Sequence, residues 1–541
     1  YYDVDLGDDV IRDEDIPAIE KEMKKVAKSG KKIVRHEISK EEALEMFKDD
    51  EYKIDLINGL EDGNMSCYTQ GDFTDLCRGP HVDNVKLCRH FKLLRHSGAY
   101  WKGDKKNKVL QRIYGVCFPT PEELEAHLAD LEEAKQRDHR KLGKELQMFM
   151  FSDTVGAGLP MYLPNGFTVR RLLADYIMDK EIAQGYLHVC TPSVVNTKLF
   201  KISGHWDHYK DDMVPAMTSE KDPENAYALR PMNCPEHMIM FKSKLHSYRD
   251  LPVRIAEIAN DFRFEASGAL TGIERARAFT QNDSHIFCRP DQIASEIKDV
   301  TKLILDVYKD FGFEKYSFRL SLRDPENKEK YFGHDELWEK SEAELRKVLK
   351  EMEVPFYEAE GEAAFYGPKI DVQVRSALGH DVTLSTIQLD YQLPERFELE
   401  YVDSDQQKKR PVVIHRAILG SLDRFIAFLL EETKGVLPLW LSPKQVVVIP
   451  VAPEAHNEYA SKIVADLKAM GVRASLDDRN EKLGYRIREA QTSKTPIQIV
   501  VGDNDVANNA LTVRRYGSRD QATFACEDFY KALREEIAAK K

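Results

Sequence analysis

The residues best placed to do chemistry lie between Arg254 and Phe287. Two strand-like runs, 254–265 and 278–287, flank a loop containing Gly and Ser, 266–277. Alternate residues of a strand share a face. Arg263 and Glu265 therefore point one way on the first run, and Phe279, Gln281, Asp283 and His285 point one way on the second. An aromatic ring, an amide, a carboxylate and an imidazole make poor core. They make a good pocket wall for a polar ligand with a flat ring. A half-exposed strand with its polar residues turned to water reads the same way, and the pattern alone does not separate the two. Cys234, His285 and His415 are of the residue types that bind zinc. Their wide spacing gives no evidence of a shared site, and each alone is more often a buried thiol or a hydrogen-bonded imidazole.

These side chains need a frame, and residues 146–440 supply it with several strand-like runs. Residues 1–118 mix strands with short acidic helices and polar turns. Between the two, Thr120-Pro121-Glu122-Glu123 predicts a helix start, with Thr120 as N-cap, Pro121 at the first helical position and Glu123 at the third. That helix is expected to run through Leu124, Leu128 and Leu131 to about Leu142, as a polar connector over 119–145. Gly-Val-Leu-Pro-Leu-Trp-Leu-Ser-Pro at 435–443 reads as a second linker. Over 441–541, strands expected at 445–450, 473–476 and 497–501 alternate with helices at 454–470 and 485–492. That alternation predicts a small parallel sheet.

The chain has 541 residues, enough for about three or four domains at roughly 100–200 residues each. Its 42% apolar and 32% charged content is ordinary for a globular protein. No apolar run is long enough to cross a membrane. The net charge of −13 gives no bulk sign of nucleic-acid binding, but it falls on the body of the chain. The last hundred residues are near neutral and leave room for local basic patches. Eight Cys without a CxxC pair suggest a reducing compartment. The opening Tyr1-Tyr2-Asp3 has no initiator Met and no signal-peptide pattern, so a fragment lacking its natural N-terminus is expected.

Arg263-Phe264-Glu265 with its loop resembles motif 2 of the class II aminoacyl-tRNA synthetases. Gly420-Ser421-Leu422-Asp423-Arg424-Phe425 resembles motif 3, and Pro192 resembles the motif 1 proline at the dimer interface. More narrowly, Ser203-Gly204-His205-Trp206, Pro231-Met232-Asn233-Cys234-Pro235, Phe279-Thr280-Gln281, Asp283-Ser284-His285 and Phe365-Tyr366-Gly367-Pro368-Lys369 resemble the threonyl-tRNA synthetases. So do residues 414–420 and, in the tail, 478–484. The resemblance runs along the whole chain in order. It implies an α+β multidomain protein. An antiparallel-sheet catalytic domain would span 146–440, a C-terminal α/β anticodon-binding domain 441–541, and a partial α+β editing domain 1–118. It also implies a cytoplasmic homodimer with no membrane contact, which joins L-threonine to the 3′ end of threonine tRNA at the expense of ATP.

Carried over residue by residue, the resemblance makes Arg263, Arg424 and His205 catalytic. Arg263 would bind the α-phosphate and the threonine carboxylate, where charge grows during attack. Glu265 would accept from the adenine amino group, Phe279 would stack on adenine, and Arg275 and Arg424 would hold the triphosphate beside Mg²⁺. Zinc would sit on Cys234, His285 and His415, with Gln281, Asp283 and Tyr366 lining the threonine pocket. Asn480, Arg488, Lys494, Asp505 and Arg514 would read the anticodon, Lys494 standing where arginine is expected. Lys53, Asp75, Cys77 and His81 match editing positions. The paired histidines of the other editing signature would precede Tyr1, so an incomplete editing site is expected. Glu236 follows Pro235 where the family pattern has glycine, close to the expected metal.

Overall fold

Long runs rich in Ile, Val and Thr, residues suited to a pleated surface, build the centre of an eight-stranded sheet. Its strands are β1 (Leu187–His188), β2 (Val253–Phe262), β3 (Ala278–Cys288), β4 (Tyr316–Ser321), β5 (Phe356–Ala359), β6 (Lys369–Arg375), β7 (Asp381–Asp390) and β8 (Val412–Ser421). They lie in the order β5-β4-β6-β7-β8-β3-β2-β1. The inner strands are antiparallel, and the outer strands β1 and β5 pair parallel. The computed structural model describes residues 1–541 apart from 61, 62, 64, 105, 328–330, 332–334 and 541, and apart from the side chains of 223 and 224.

Helices α1 (Pro164–Ala183), α2 (Cys234–Lys242), α3 (Ile293–Asp310) and α4 (Leu422–Glu432) cover this sheet. Ile297, Val300, Ile304 and Val307 recur at helical spacing along α3. With residues of α1 and α4 they bury Ile286, Ile370, Ile414 and Ile418 on one sheet face. α2 packs Met238 and Phe241 on the other face, against Ile255, Phe287 and Val413. Each such side chain contributes about 1.5–3 kcal/mol when fully buried. Within the first face lies an ion pair. Arg416 Nη1 of β8 meets Glu181 Oε1 of α1 at 2.5 Å, both side chains fully buried. Asn282 of β3 donates to the same oxygen at 2.8 Å, and the Arg416 guanidinium covers the Tyr186 ring.

The chain divides into two units, Tyr1–Ala134 and Lys135–Lys541. The first holds two three-stranded sheets. In one, Tyr2–Val4 and His90–Tyr100 flank Val109–Phe118; in the other, Ile33–Glu37 and Phe73–Leu76 flank Ser66–Gln70. The expected helix start at Thr120 carries its capping box: Glu123 N donates to Thr120 Oγ1 and Thr120 N to Glu123, both at 3.2 Å. The helix does not reach Leu142. It spans Pro121–Arg137 and breaks at Asp138, and a second helix, His139–Glu145, follows. Asp138 accepts from Arg140 N and so caps the new helix, a role aspartate fills better than a helix-interior one.

The tail carries β9 (Val446–Pro450), β10 (Ala474–Leu476), β11 (Ile497–Val501), β12 (Ala510–Arg515) and β13 (Gln521–Ala525), in the order β10-β9-β11-β12-β13. The first three form the expected parallel core. An antiparallel pair extends it. Those two strands alternate polar and apolar residues over short lengths and gave no separate signal in the sequence. No described helix is long and apolar enough to cross a membrane.

Removing one member of a buried ion pair leaves the other charged and desolvated, at a cost of roughly 3–5 kcal/mol. Arg416→Met is expected to lose that much, measured by urea-induced unfolding. The double variant Arg416→Met/Glu181→Leu is expected to recover most of it.

Candidate active site and metal centre

β3 and β8 pair in a register that sets His285 opposite His415. The two buried rings stand edge to face, 4.6 Å between centroids. Cys234 opens α2 above them, and Pro235 in the first turn suits a helix start. The ligand atoms of Cys234, His285 and His415 all lie within 4.8 Å of one another. Behind His285, its Nδ1 is 2.8 Å from His237 Nδ1, and His237 Nε2 is 3.1 Å from Glu257 Oε2. Behind His415, its Nε2 is 2.8 Å from Asp390 Oδ2. Each imidazole is thus held through one nitrogen by a relay ending in a carboxylate, the support that metal-binding histidines receive. The remaining nitrogen of His285, Nε2, is buried without a hydrogen-bond partner. Burial pushes the Cys234 thiol well up, with Asp283, Glu236 and Asp390 adding to it. Burial likewise pushes the His285 imidazolium well down. One sulfur and two imidazole nitrogens within reach of one centre form a donor set that fits zinc.

Beside this cluster lies Asp283, buried, with Oδ2 3.6 Å from His285 Nε2 and Oδ1 accepting from Ser284 N at 2.9 Å. The Tyr366 ring lies 5.1 Å from that of His415. His205 is fully buried, Nδ1 2.8 Å from Ser203 Oγ and Nε2 3.8 Å from Cys234 Sγ. Burial holds its pKa down to about 3.

A cleft of about 520 Å³ opens along the same sheet face, lined by Arg263, Glu265, Arg275, Phe279, Gln281 and Arg424 among others. The strand before the loop stops at Phe262, three residues short of the expected end. Arg263 N still donates to Arg277 O across the loop neck at 2.9 Å. The Arg263 guanidinium lies 4.9 Å from the Phe279 ring centre. Arg424, in the first turn of α4, donates through Nε to the Glu274 carbonyl at 3.3 Å. Burial lowers its pKa, and the neighbouring Arg263 and Arg275 charges add to that. Arg275 forks onto Glu265 at 2.9 and 3.0 Å. Arg275 is half exposed, and such a pair contributes only about 0–1 kcal/mol, so it is easily exchanged for another partner.

The match to known proteins follows this layout. Residues 217–433 match the model of the tRNA synthetase class II core domain (G, H, P, S and T). Residues 445–536 match the anticodon binding domain, and 65–114 the threonyl and alanyl tRNA synthetase second additional domain. Threonine–tRNA ligases of Staphylococcus carnosus (strain TM300) and Staphylococcus aureus (strain bovine RF122 / ET3-1) are each 56% identical to the chain over 542 residues. The alignments cover all of this chain and 83% and 84% of those proteins. The chain belongs to the threonine–tRNA ligase family. A solved RNA-binding domain of threonyl-tRNA synthetase from Cryptosporidium parvum Iowa II superposes with a TM-score of 0.70 at 36% identity, over 74% of this chain and 98% of that one.

Some residues of this ligase site were not among the sequence candidates. His237 lies three residues beyond Cys234 on one helix, a spacing that puts both on one face and could have flagged it. Glu257 and Asp390 become partners only once strand pairing is known. Glu236 is buried, Oε1 lying 3.8 Å from the buried Arg230, and neither oxygen has a hydrogen bond. Burial pushes its carboxyl up to about 8.

In the first unit of the ligase, the four editing candidates form two pairs. Lys53 Nζ meets Asp75 Oδ1 at 2.8 Å, and His81 Nε2 lies 3.0 Å from Cys77 Sγ. In the tail, Asn480 and Arg488 are exposed. Asp505 is buried, accepting from Gly502 N at 3.0 Å and from Thr512 Oγ1 at 2.7 Å. Lys494 donates to the Lys434 carbonyl, and Arg514 Nη2 to the Arg519 carbonyl at 3.4 Å.

The purified chain is expected to carry one tightly held zinc ion, and Cys234→Ser to lose it, both read by elemental analysis after dialysis. Full metal content in that variant would exclude Cys234 as a ligand.

Proposed function

We propose that this ligase selects threonine at the Cys234–His285–His415 end of its pocket and activates it at the arginine-lined end. The observation that supports the reading is the continuity of the two sites along one sheet face. Bound zinc supplies a Lewis-acid centre suited to an α-amine and a β-hydroxyl together, and Mg²⁺ accompanies ATP and shares its phosphate charge. Cys234, His285 and His415 are the residues that would hold the zinc.

Asp283 accepts from the threonine hydroxyl, and Gln281, Tyr366 and His205 wall the pocket around it. Valine has nearly the shape of threonine but offers Asp283 no donor. A buried acceptor left without its partner is costly, which makes valine the easier competitor to reject. Serine keeps the hydroxyl and lacks only a methyl group, worth roughly 1–3 kcal/mol. We assign the pairs Cys77–His81 and Lys53–Asp75 to one part of a site for the hydrolysis of seryl-tRNA, which this small margin requires, the matched residues alone not completing it.

In activation, a threonine carboxylate oxygen attacks the α-phosphorus of ATP and pyrophosphate leaves. Arg263 stabilises the negative charge that grows on the α-phosphate. Phe279 stacks on adenine and Glu265 accepts from its amino group. For that, Arg275 leaves Glu265 and joins Arg424 on the departing phosphates, an exchange made cheap by the weak, exposed pair. In transfer, a hydroxyl of the terminal tRNA adenosine attacks the threonyl carbonyl carbon and AMP leaves.

Asn480 and Arg488, both exposed, are the proposed anticodon readers with the firmest support. Lys494, Asp505 and Arg514 enter that role only by giving up contacts inside the fold. We also propose a homodimer. Exposed Leu187 on the edge strand β1 and exposed Val194, close in sequence to Pro192, support it.

Threonine-dependent exchange of pyrophosphate into ATP tests the activation site. Exchange with valine is expected to fall by about 10⁴-fold and with serine by only roughly 10–200-fold. Arg263→Ala is expected to lower exchange by roughly 10²–10³-fold. Equal exchange with valine and threonine would overturn the assigned selection.

A further inference from the structure

Asp138 starts a new helix, and the turn drives His139 inward until its ring is 1% exposed. His139 Nδ1 lies 2.7 Å from Glu431 Oε1, and the His139 backbone N donates to the same oxygen at 3.2 Å. Glu431 sits in the last turn of α4, the helix whose first turn bears Arg424. A carboxylate is disfavoured at a helix C-terminus by about 0.3–1 kcal/mol. Here it is answered by His139 and by Arg137, which donates to the Glu431 and Glu432 carbonyls at 2.9 and 2.8 Å.

The other ring nitrogen, Nε2, is buried without a hydrogen-bond partner and faces Gly272. Gly272 turns the tip of the loop 266–277 with φ +47°, and a Cβ there would overlap the His139 ring. On either side of it Thr271 and Arg275 bridge backbone to backbone. Glu274 gives its carbonyl to Arg424. Glu274 and Arg275 in turn line the arginine-rich cleft. The loop tip therefore rests on both ends of α4, directly on Arg424 and through His139 on Glu431. Asp138, His139 and Glu431 also come close enough to suggest a cation site. Arg140, however, forks onto Asp138 and already supplies the positive charge.

We propose that His139 is a positioning residue that props the loop 266–277 against α4 through Glu431 and Gly272, and so sets Glu274 and Arg275 toward the phosphates of ATP. The proposal rests on reading the cleft as the ATP site. His139 touches neither substrate, so its loss should weaken ATP binding more than the threonine pocket or the chemistry.

Two isosteric variants separate the two halves of the prop. His139→Asn keeps an N–H where Nδ1 stands but does not reach Gly272. His139→Gln reaches toward Gly272 but gives up the Nδ1 donor. In pyrophosphate exchange, each is expected to raise the KM for ATP by about 10-fold, with kcat and the KM for threonine near wild type, the pattern of lost uniform binding. Glu431→Gln, at a half-buried position, is expected to do the same and serves if the His139 variants fail to fold. An unchanged KM for ATP in folded variants, a parallel rise in both KM values, or a fall in melting temperature alone overturns the proposal. Absence of threonine-dependent exchange in the wild type defeats the ATP-site reading and the proposal with it; wild-type exchange confines any failure to His139.

Discussion

His285 meets His415 because β3 and β8 pair antiparallel in one register. Side chains alternate along a strand, so a slip of one residue would exchange faces. A slip of β3 would turn Ile286 toward α2 and carry His285 into the core under α1, α3 and α4, away from His415. What holds the register is on the reverse of the same strands. Ile286, Ile414 and Ile418 bury there, and Arg416 of β8 and Asn282 of β3 meet on the same Glu181 oxygen. A buried charge tolerates no slip, because the alternative leaves it unpaired. The ion pair that packs the core thus also fixes the geometry of the cluster on the other side.

Charge is graded along that second face. Glu257, Asp261 and Asp390 gather at the thiol–imidazole end with the buried Arg230 and with Asp283, whose carboxyl burial pushes well up, and Arg263, Arg275 and Arg424 line the other. Burial pushes Asp261 up to about 6, against the pull of Arg230 and Arg263. Although burial opposes it, Glu257 is held down to about 2 by His237, Thr191 and Arg230. An amino acid carries its ammonium and carboxylate a few ångströms apart. On the proposed reading, such a field would orient it with the amine toward the acidic end and the carboxylate toward Arg263.

The sequence made some of this legible and hid the rest for physical reasons. Alternation along 278–287 identified the face shared by Phe279, Gln281, Asp283 and His285, because strand periodicity is local. The meeting of Cys234 with two distant histidines is non-local; only the family resemblance named it. Glu257 and Asp390 were invisible for the same cause, being ordinary acidic residues until strand pairing sets them behind an imidazole. The connector was read as one helix because its leucines keep helical spacing past the break. Asp138 carries the contrary signal, an N-cap residue followed by a backbone N–H it can accept. In the tail, Lys494 and Asp505 matched positions expected to meet RNA, yet each is engaged within the fold, a competition that spacing does not reveal.

The end of α4 shows why such engagement matters. The last carbonyls of a helix have no partner within it. Here the carbonyls of Glu431 and Glu432 receive Arg137, and that of Lys434, just past the helix, receives Lys494 from the tail. Burial lowers the Lys494 pKa, the Glu145 carboxylate opposes that, and the neighbouring Lys434 and Lys141 charges add to it. The contact to the Lys434 carbonyl is a hydrogen bond, with Glu145 supplying the favourable charge nearby. Glu145, Gly435 and Glu489 line the same cleft of about 220 Å³, so the tail and the core share it. A helix that begins at the cleft-lining Arg424 thus ends at the junction with the tail domain.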